Sequence, residues 1–422
     1  MEPALPPGPR APAALQTLEW VARPTAFLRR CAARHGEAFT LRLAFDDAPL
    51  VLVWHPDAVR AVYAADPSVA RRSGSPGPLG PVAGPRSILF ADGAEHLRIR
   101  RLMLAAFGRE RMDGYRAIVR DAAERAVTSW PRGRPVALLG ALQELTLDIV
   151  LRTVFGTAEE RLATDVRDTL ATTRSLPTMA ALSLTSRRRG RASPWGGFLG
   201  RVAAIDAQLD ALVAARRASG STGDDVLGAL LGAGLDDAEV RDHLVTLVAA
   251  GHETTAGSLA WALERLARAP GALERIRAGD EAWLGAVIKE TLRIRPVLTV
   301  APRKLAAPLQ VGGHRLPAGV HVAPCIYLVH RRADLYPDPA RWAPERWLGA
   351  DAPPSFAWIP FGGGVRRCLG AAFATMEMEE VLRAVARHHT LAPADARAER
   401  MRRRGITLQP GRGARVALSG AS

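Results

Sequence analysis

One short segment concentrates reactive potential: Phe361-Gly362-Gly363-Gly364-Val365-Arg366-Arg367-Cys368-Leu369-Gly370. A single cysteine stands between three consecutive glycines and a helix expected to start at about Leu369. Glycines let the backbone approach a flat ligand closely and adopt φ values that other residues avoid. Free amides at the helix start, with the positive end of its dipole, would lower the thiol pKa and hold a thiolate through N–H to sulfur hydrogen bonds. Taken in isolation, such a cysteine can equally be an inert core residue.

A thiolate has a definite use on haem iron, where it pushes electron density toward the metal and favours cleavage of the O–O bond. A second segment, Ala250-Gly251-His252-Glu253-Thr254-Thr255, fits the same chemistry. Gly251 thins a helix so that a ligand can lie against it, and the Thr254 hydroxyl can bond the Ala250 carbonyl and bend the helix locally. An acid and an alcohol side by side form a proton route; without further company they are an ordinary polar helix face. Glu290 and Arg293 share one helical face and can pair, an arrangement that alone is worth about 0 to 1 kcal/mol. His96 and Arg100, four apart, also share a face.

These segments need elements to hold them. Asp236, with Glu239 three positions on, signals the start of a helix that should run to about Pro270, roughly 30 residues or about 45 Å. From Arg109 to about Leu266 most segments carry helical periodicity, broken at Pro131-Arg132-Gly133, across Arg187–Gly197 and at Ser219–Gly223. Phe39–Leu43 and Leu50–Val53 flank Asp46-Asp47-Ala48-Pro49 and predict a hairpin; Leu309–Val311 and Val320–Ala323 predict a second one around Gly312–Gly319. Ser73–Pro85, crowded with glycine and proline, predicts a long loop before the His96 helix. Helices with small segregated sheets, rather than alternating strand and helix, give a mainly α fold (α+β). One domain over 1–422 is expected, with an irregular proline-rich lead-in over 1–14.

The chain has 422 residues, 48% hydrophobic and 23% charged, enough to bury a large core. Three scattered cysteines, Cys31, Cys325 and Cys368, form neither a disulfide framework nor a zinc pair, which fits a cytoplasmic setting. No apolar run reaches membrane-spanning length and the amino terminus lacks signal-peptide order. The formal charge of +15 is carried almost entirely by arginine, the only lysines being Lys289 and Lys304. The run Arg187-Arg188-Arg189-Gly190-Arg191 lies among serines and glycines and is read as a solvated loop, so nucleic acid is not an expected partner.

Phe361 to Gly370 fills every fixed position of Phe-x-x-Gly-x-Arg-x-Cys-x-Gly, and with it the chain resembles the cytochrome P-450 superfamily of haem-thiolate monooxygenases, in its soluble bacterial form. The likeness extends over most of the chain. It implies the P-450 fold with a long central helix crossing the haem, haem b as cofactor and Cys368 as the iron ligand. Phe361, Gly362, Arg366, Gly370, Ala250 and Gly251 are the implied further cofactor contacts. His96, Arg100, Arg303 and Arg366 match the propionate positions, whereas Arg98, Arg101 and Arg367 point elsewhere. Thr254 is the implied hydroxyl beside the oxygen site and Glu253 the proton relay; His252 is not expected to bind metal. Glu290, Arg293 and Arg346, the last from Trp342-Ala343-Pro344-Glu345-Arg346, are the implied structural triad.

The resemblance further implies insertion of one oxygen atom of O2, as hydroxylation or epoxidation. Electrons would come from NAD(P)H through a separate ferredoxin and ferredoxin reductase, the ferredoxin being an acidic partner docking near the Cys368 face. Leu247, Ala250, Val297, Leu298, Val300 and Ile406 are the implied substrate-lining residues, with the Ser73–Pro85 loop and the Thr178–Gly197 region. They are mostly apolar or small, which favours a lipophilic terpenoid, fatty acid or steroid of secondary metabolism, and a monomer is expected. The rival activities are direct use of a peroxide and haem sensing without turnover, and the Glu253-Thr254 pair speaks against both.

Overall fold

Helices form wherever apolar residues recur every three or four positions, and strands are confined to runs of three to six residues. The computed structural model describes residues 5–72, 80–156, 159–174, 194–220, 223–349 and 353–421. The Arg187–Arg191 run, most of the Thr178–Gly197 region and the first part of the Ser73–Pro85 loop lie outside the described residues.

Helices α1 (Ala13–Ala22) and α2 (Pro24–His35) lead into β1 (Ala38–Leu41) and β2 (Leu50–Val53), followed by α3 (Pro56–Tyr63), β3 (Ala70–Arg72), α4 (Gly80–Ala83), α5 (Gly93–Ala105) and α6 (Arg109–Thr128). Then come β4 (Pro135–Ala137), α7 (Leu138–Phe155), α8 (Glu160–Arg174), α9 (Pro194–Ser219), α10 (Val226–Gly232) and the long α11 (Asp237–Leu266). The remainder holds α12 (Ala272–Arg277), α13 (Glu281–Ile294), β5 (Arg303–Leu305), β6 (Leu309–Val311), β7 (His314–Leu316), β8 (His321–Pro324) and α14 (Ile326–Val329). It closes with α15 (Ala371–His388), β9 (His389–Pro393), β10 (Met401–Arg404), β11 (Thr407–Pro410) and β12 (Arg415–Gly420).

Helix α11 starts where its cap requires. The Asp236 carboxylate accepts from the Glu239 amide at 2.9 Å, satisfying one of the orphan N–H groups of the first turn. The Glu239 carboxylate does not return the bond but pairs with Arg98 of α5. At 30 residues α11 is about 45 Å long, and most of its side chains are buried against α7, α9, α13 and α15.

The second hairpin joins Leu309–Val311 to His314–Leu316, because Gly312 and Gly313 both take positive φ (55° and 79°), the geometry of a tight two-residue turn. His321–Pro324 instead runs parallel to β2 inside a five-stranded sheet ordered β1-β2-β8-β5-β3. The proline-rich lead-in is irregular yet pinned: the Thr40 hydroxyl donates to the Pro6 carbonyl at 2.6 Å and its amide to Pro7 at 3.0 Å.

Candidate active site

The Cys368 loop is closed by its own backbone. The Cys368 amide donates to the Phe361 carbonyl at 2.9 Å, Arg367 to Gly364 at 3.1 Å, and Gly362 to Ile359 at 3.0 Å. Helix α15 begins at Ala371 with Gly370 as its cap, and the Gly370 amide hydrogen-bonds the Cys368 sulfur. Cys31 and Cys325 are buried, while Cys368 is exposed. Protein nevertheless surrounds it closely enough for burial to dominate its titration, so it opens onto an internal cleft rather than the outer surface. That burial raises the thiol pKa, outweighing the Gly370 amide, Arg367 and Arg100, which all lower it. The expectation of a depressed pKa is therefore corrected for the protein without a bound cation at sulfur: dehydration of the thiolate is the larger effect.

The glycines serve a neighbour side chain. Gly362 and Gly364 take φ of 68° and 63°, which favours glycine, and a Cβ at Gly363 would lie 2.3 Å from the Tyr63 ring. A Cβ at Gly364 would stand 2.1 Å from the Tyr63 carbonyl oxygen. The loop backbone thus closes on the end of α3. A Cβ at Gly251 would meet Val150 of α7 at 3.3 Å, so glycine also lets the two helices cross closely.

Along α11 one stripe remains open. Ala250 is exposed and Leu247, Gly251, Glu253 and Thr254 are half-buried in the middle of an otherwise buried helix. Positions 247, 250, 251 and 254 recur at helical spacing, so this face borders an interior space. The Thr254 hydroxyl donates to the Ala250 carbonyl at 2.8 Å, as expected. Three more carbonyls nearby accept from side chains: His252 from Thr146 (2.9 Å), Glu253 from Gln409 (3.3 Å) and Thr254 from Ser258 (3.0 Å). Side-chain donors of this kind loosen and bend a helix. His252 is buried, with Nδ1 3.2 Å from the Val248 carbonyl, which leaves it engaged within its own helix.

The four basic residues converge. Burial, then Arg366, Arg100 and Arg303 push the His96 pKa down to about 4, against an upward effect of Asp92. Arg100 also acts on Cys368, which places the cluster beside the sulfur. Burial lowers the pKa of Arg100, Arg303 and Arg366. Asp92 is the acid that faces them, paired with Arg366, which also donates to the Ala91 carbonyl at 2.5 Å. The Tyr63 hydroxyl is buried without a partner among the described residues, and the Arg303 guanidinium lies 5.7 Å from its ring. Desolvated cations with an orphaned donor suit two carboxylates of one ligand, since guanidinium forks bind carboxylate bidentately. The residues present therefore fit haem: this cluster would hold its propionates and Cys368 its iron. Among the described residues no three His, Cys, Asp or Glu side chains gather as a metal-ion cage.

The triad forms as implied. Arg293 Nε and Nη2 each lie 2.8 Å from a Glu290 carboxyl oxygen, both side chains being fully buried. Arg346 joins Glu290 at 3.2 Å, and the Trp347 indole and the Ala343 amide donate to the same carboxylate at 3.0 and 2.9 Å. Val297 accepts from the Leu408 amide at 2.7 Å, which ties β11 to the segment after α13. Leu298 and Val300 are half-buried against the two sheet-side cores, and Ile406 stands exposed at the β10–β11 turn. Arg98 pairs with Glu95 and Glu239 on the surface. An apolar cavity of about 20 Å³ adjoins α11, lined by Phe155, Val166, Ile205, Val245 and Val248 among others.

Residues 6–414 match the cytochrome P450 family model. The chain belongs to the cytochrome P450 family. It is similar to a putative cytochrome P450 135B1 of Mycobacterium tuberculosis and Mycobacterium bovis, 37% identical over 98% of this chain and 91% of that protein. It is equally similar to a putative cytochrome P450 138 of Mycobacterium tuberculosis, 37% identical over 98% of this chain and 96% of that one. Among solved structures, a retinoic acid-bound cyanobacterial CYP120A1 superposes with a TM-score of 0.87 at 22% identity, covering all of both chains. A cytochrome P450DA heme domain gives 0.86 at 21%, covering 100% of this chain and 98% of the other. These two show that the fold is the P450 fold. Members of this family are haem-thiolate monooxygenases, and haem is their cofactor. Among the described residues no helix of this P450 is long and apolar enough to cross a membrane.

Proposed function

We propose that this P450 binds haem b through Cys368 and inserts one oxygen atom of O2 into a lipophilic small molecule, by hydroxylation or epoxidation. The observation that carries the reading is the convergence of His96, Arg100, Arg303 and Arg366 beside an exposed thiol at the start of α15. When bound, haem supplies the oxygen activation and electron storage that no side chain can. The chain's own residues do the rest. Cys368 ligates, the basic cluster holds the propionates, and the triad fixes the segment leading to the loop. Thr254 presents a hydroxyl on the open face of α11, and Glu253, next to it, moves a proton toward it.

The apolar or small character of Leu247, Val297, Leu298, Val300 and Ile406 supports a terpenoid, fatty acid or steroid-like substrate from secondary metabolism. Electrons reach the site from NAD(P)H through a ferredoxin reductase and an acidic ferredoxin, which the net charge of +15 would attract. Three free cysteines support work in the cytoplasm; one domain over 1–422 acting as a monomer completes the reading.

The test is the absorption spectrum of the reduced, carbon-monoxide-bound protein against that of Cys368→Ser. A strongly red-shifted Soret band in the first that is absent from the second is the expected result. No such band, or one indifferent to Cys368, would overturn the assignment of the ligand.

A further inference from the structure

Strand β10 reads Met401-Arg402-Arg403-Arg404, and its pairing with β11 sets Arg403 opposite Leu408. Alternate side chains of a strand point to opposite faces. Arg402 and Arg404 are exposed, whereas Met401 packs on the core of Trp20, Phe27, Leu28 and Cys31 under α1 and α2. Arg403 turns the same way as Met401, and its guanidinium carbon stands 5.0 Å from the centre of the Trp20 ring. Nε and Nη2 are both sealed from solvent, and neither has a partner among the described residues. Burial is the one influence on its ionisation and brings its pKa down to about 10; no carboxylate acts on it.

A cation taken out of water with neither anion nor acceptor is strongly disfavoured. Other desolvated arginines avoid that state. Arg331 donates to the Tyr327 and Ile294 carbonyls, and among the described residues no other arginine leaves two buried nitrogens unpaired. Arg293 shows what these two atoms can do, since its Nε and Nη2 grip the two oxygens of Glu290, each at 2.8 Å. They form one edge of the guanidinium plane, spaced to bridge a single carboxylate. Arg403 offers that edge, and the protein supplies no acid to it.

The surroundings are apolar and open. Three residues on, about 10 Å along the strand, the hairpin tip carries Ile406, which is 63% exposed. Helix α1 packs against β10, and the chain after β1 crosses it: the Arg42 amide donates to Gln16 at 3.0 Å and the Ala44 amide to Thr17 at 2.8 Å. Phe45, next in sequence, thereby joins Leu15 and Leu18 of α1 as large apolar side chains held in water. A sealed cation behind an apolar rim is complementary to a long apolar chain that ends in an anion.

We propose that Arg403 is a carboxylate-binding residue, and that the lipophilic substrate is a long-chain acid whose carboxylate it grips through Nε and Nη2. The inference rests on the monooxygenase reading and narrows its substrate class to acids. Arg403 lies outside the electrostatic reach of Cys368 and of the basic cluster beside it, so the carboxylate is held away from the iron site. Oxidation then falls on carbons remote from the acid end.

Calorimetric titration of the haem-loaded protein with dodecanoic acid and with its methyl ester tests this without turnover. The ester keeps the chain and loses the anion. The wild type should bind the acid about ten- to a hundredfold more tightly than the ester. Arg403→Met should abolish that preference and leave the ester affinity unchanged, while Arg403→Lys, a point charge without the fork, should retain part of it. Arg404→Met, on the exposed face, should retain all of it. Equal wild-type affinities, or no binding of either ligand, would overturn the proposal. A preference that survives Arg403→Met would overturn it too, and so would acid and ester weakened alike, since that is a packing effect. Failure of the monooxygenase reading itself would be seen separately, as absence of the Cys368-dependent carbon-monoxide band.

Discussion

The Arg293 guanidinium donates to the backbone carbonyl of His330 at 2.6 Å. The imidazole of His330 in turn accepts from the Ile359 amide at 2.8 Å, and the Ile359 carbonyl accepts from Gly362 at 3.0 Å. Three hydrogen bonds thus connect the buried triad to the loop that carries Cys368. Arg293→Lys keeps the charge but loses the planar fork that spans Glu290, His330, Pro339 and Arg341. Breaking such a buried pair should cost about 3–5 kcal/mol. Denaturant unfolding should show that loss together with poor haem incorporation; wild-type stability would mean the network does not hold the loop.

The loop, the start of α11 and the Glu290–Arg293 pair were legible because each is local in sequence: a fixed spacing around Cys368, a cap at Asp236, and two charges three apart on α13; Arg346 came only with the family resemblance. His330 and Trp347 were not, since their roles exist only where α13 meets distant segments. The approach of Tyr63 and Val150 to the glycines was not legible either, because both are far away along the chain. The buried acid Glu377 did leave a signal. It sits four and eight positions before Val381 and Val385, on the apolar stripe of α15, where an acid is out of place. The second hairpin failed because Gly312-Gly313 makes a tighter turn than the apolar runs alone indicate.

Arg100 and Arg303 are desolvated cations that face few anions. Replacing either by leucine should speed haem loss to a scavenging apoprotein. A charged hydrogen bond is worth about 1.5–3 kcal/mol, roughly ten- to a hundredfold in retention. Arg98→Leu is the matched control, since Arg98 pairs with Glu95 and Glu239 at the surface. Equal effects at all three positions would remove the propionate assignment.

Thr254→Ala deletes the hydroxyl that bonds the Ala250 carbonyl on the open face of α11. Cofactor consumption should continue while product formation falls by on the order of a hundredfold and peroxide appears in its place. Thr254→Ser should recover most of the product. The carbon-monoxide spectrum of both variants should match the wild type. Full product yield in the alanine variant would assign the proton route elsewhere.

Arg367 is exposed beside the Cys368 sulfur and lowers the pKa of its thiol. Arg367→Glu should slow reduction by an acidic ferredoxin at low salt, with haem content unchanged. The deficit should shrink as ionic strength rises, because contacts at the rim of an interface act mainly on association rate. A deficit that persists at high salt would point to altered ligation rather than docking.

Buried Glu377 makes stability depend on pH in an unusual direction. Its folded-state pKa of about 8 stands above the ordinary 4.5, so between these values the folded chain holds a proton that the unfolded chain has released. The contribution is fully present below about pH 4.5 and is lost as pH rises through 8. The interval corresponds to about 5 kcal/mol at 1.36 kcal/mol per pH unit. Glu377→Gln carries no such titration. Unfolding free energies measured between pH 5 and 9 should therefore show the wild type losing stability relative to the variant as pH rises. Parallel curves would mean that the carboxyl group titrates alike in both states, and that Glu377 is solvated rather than sealed between α11 and α15.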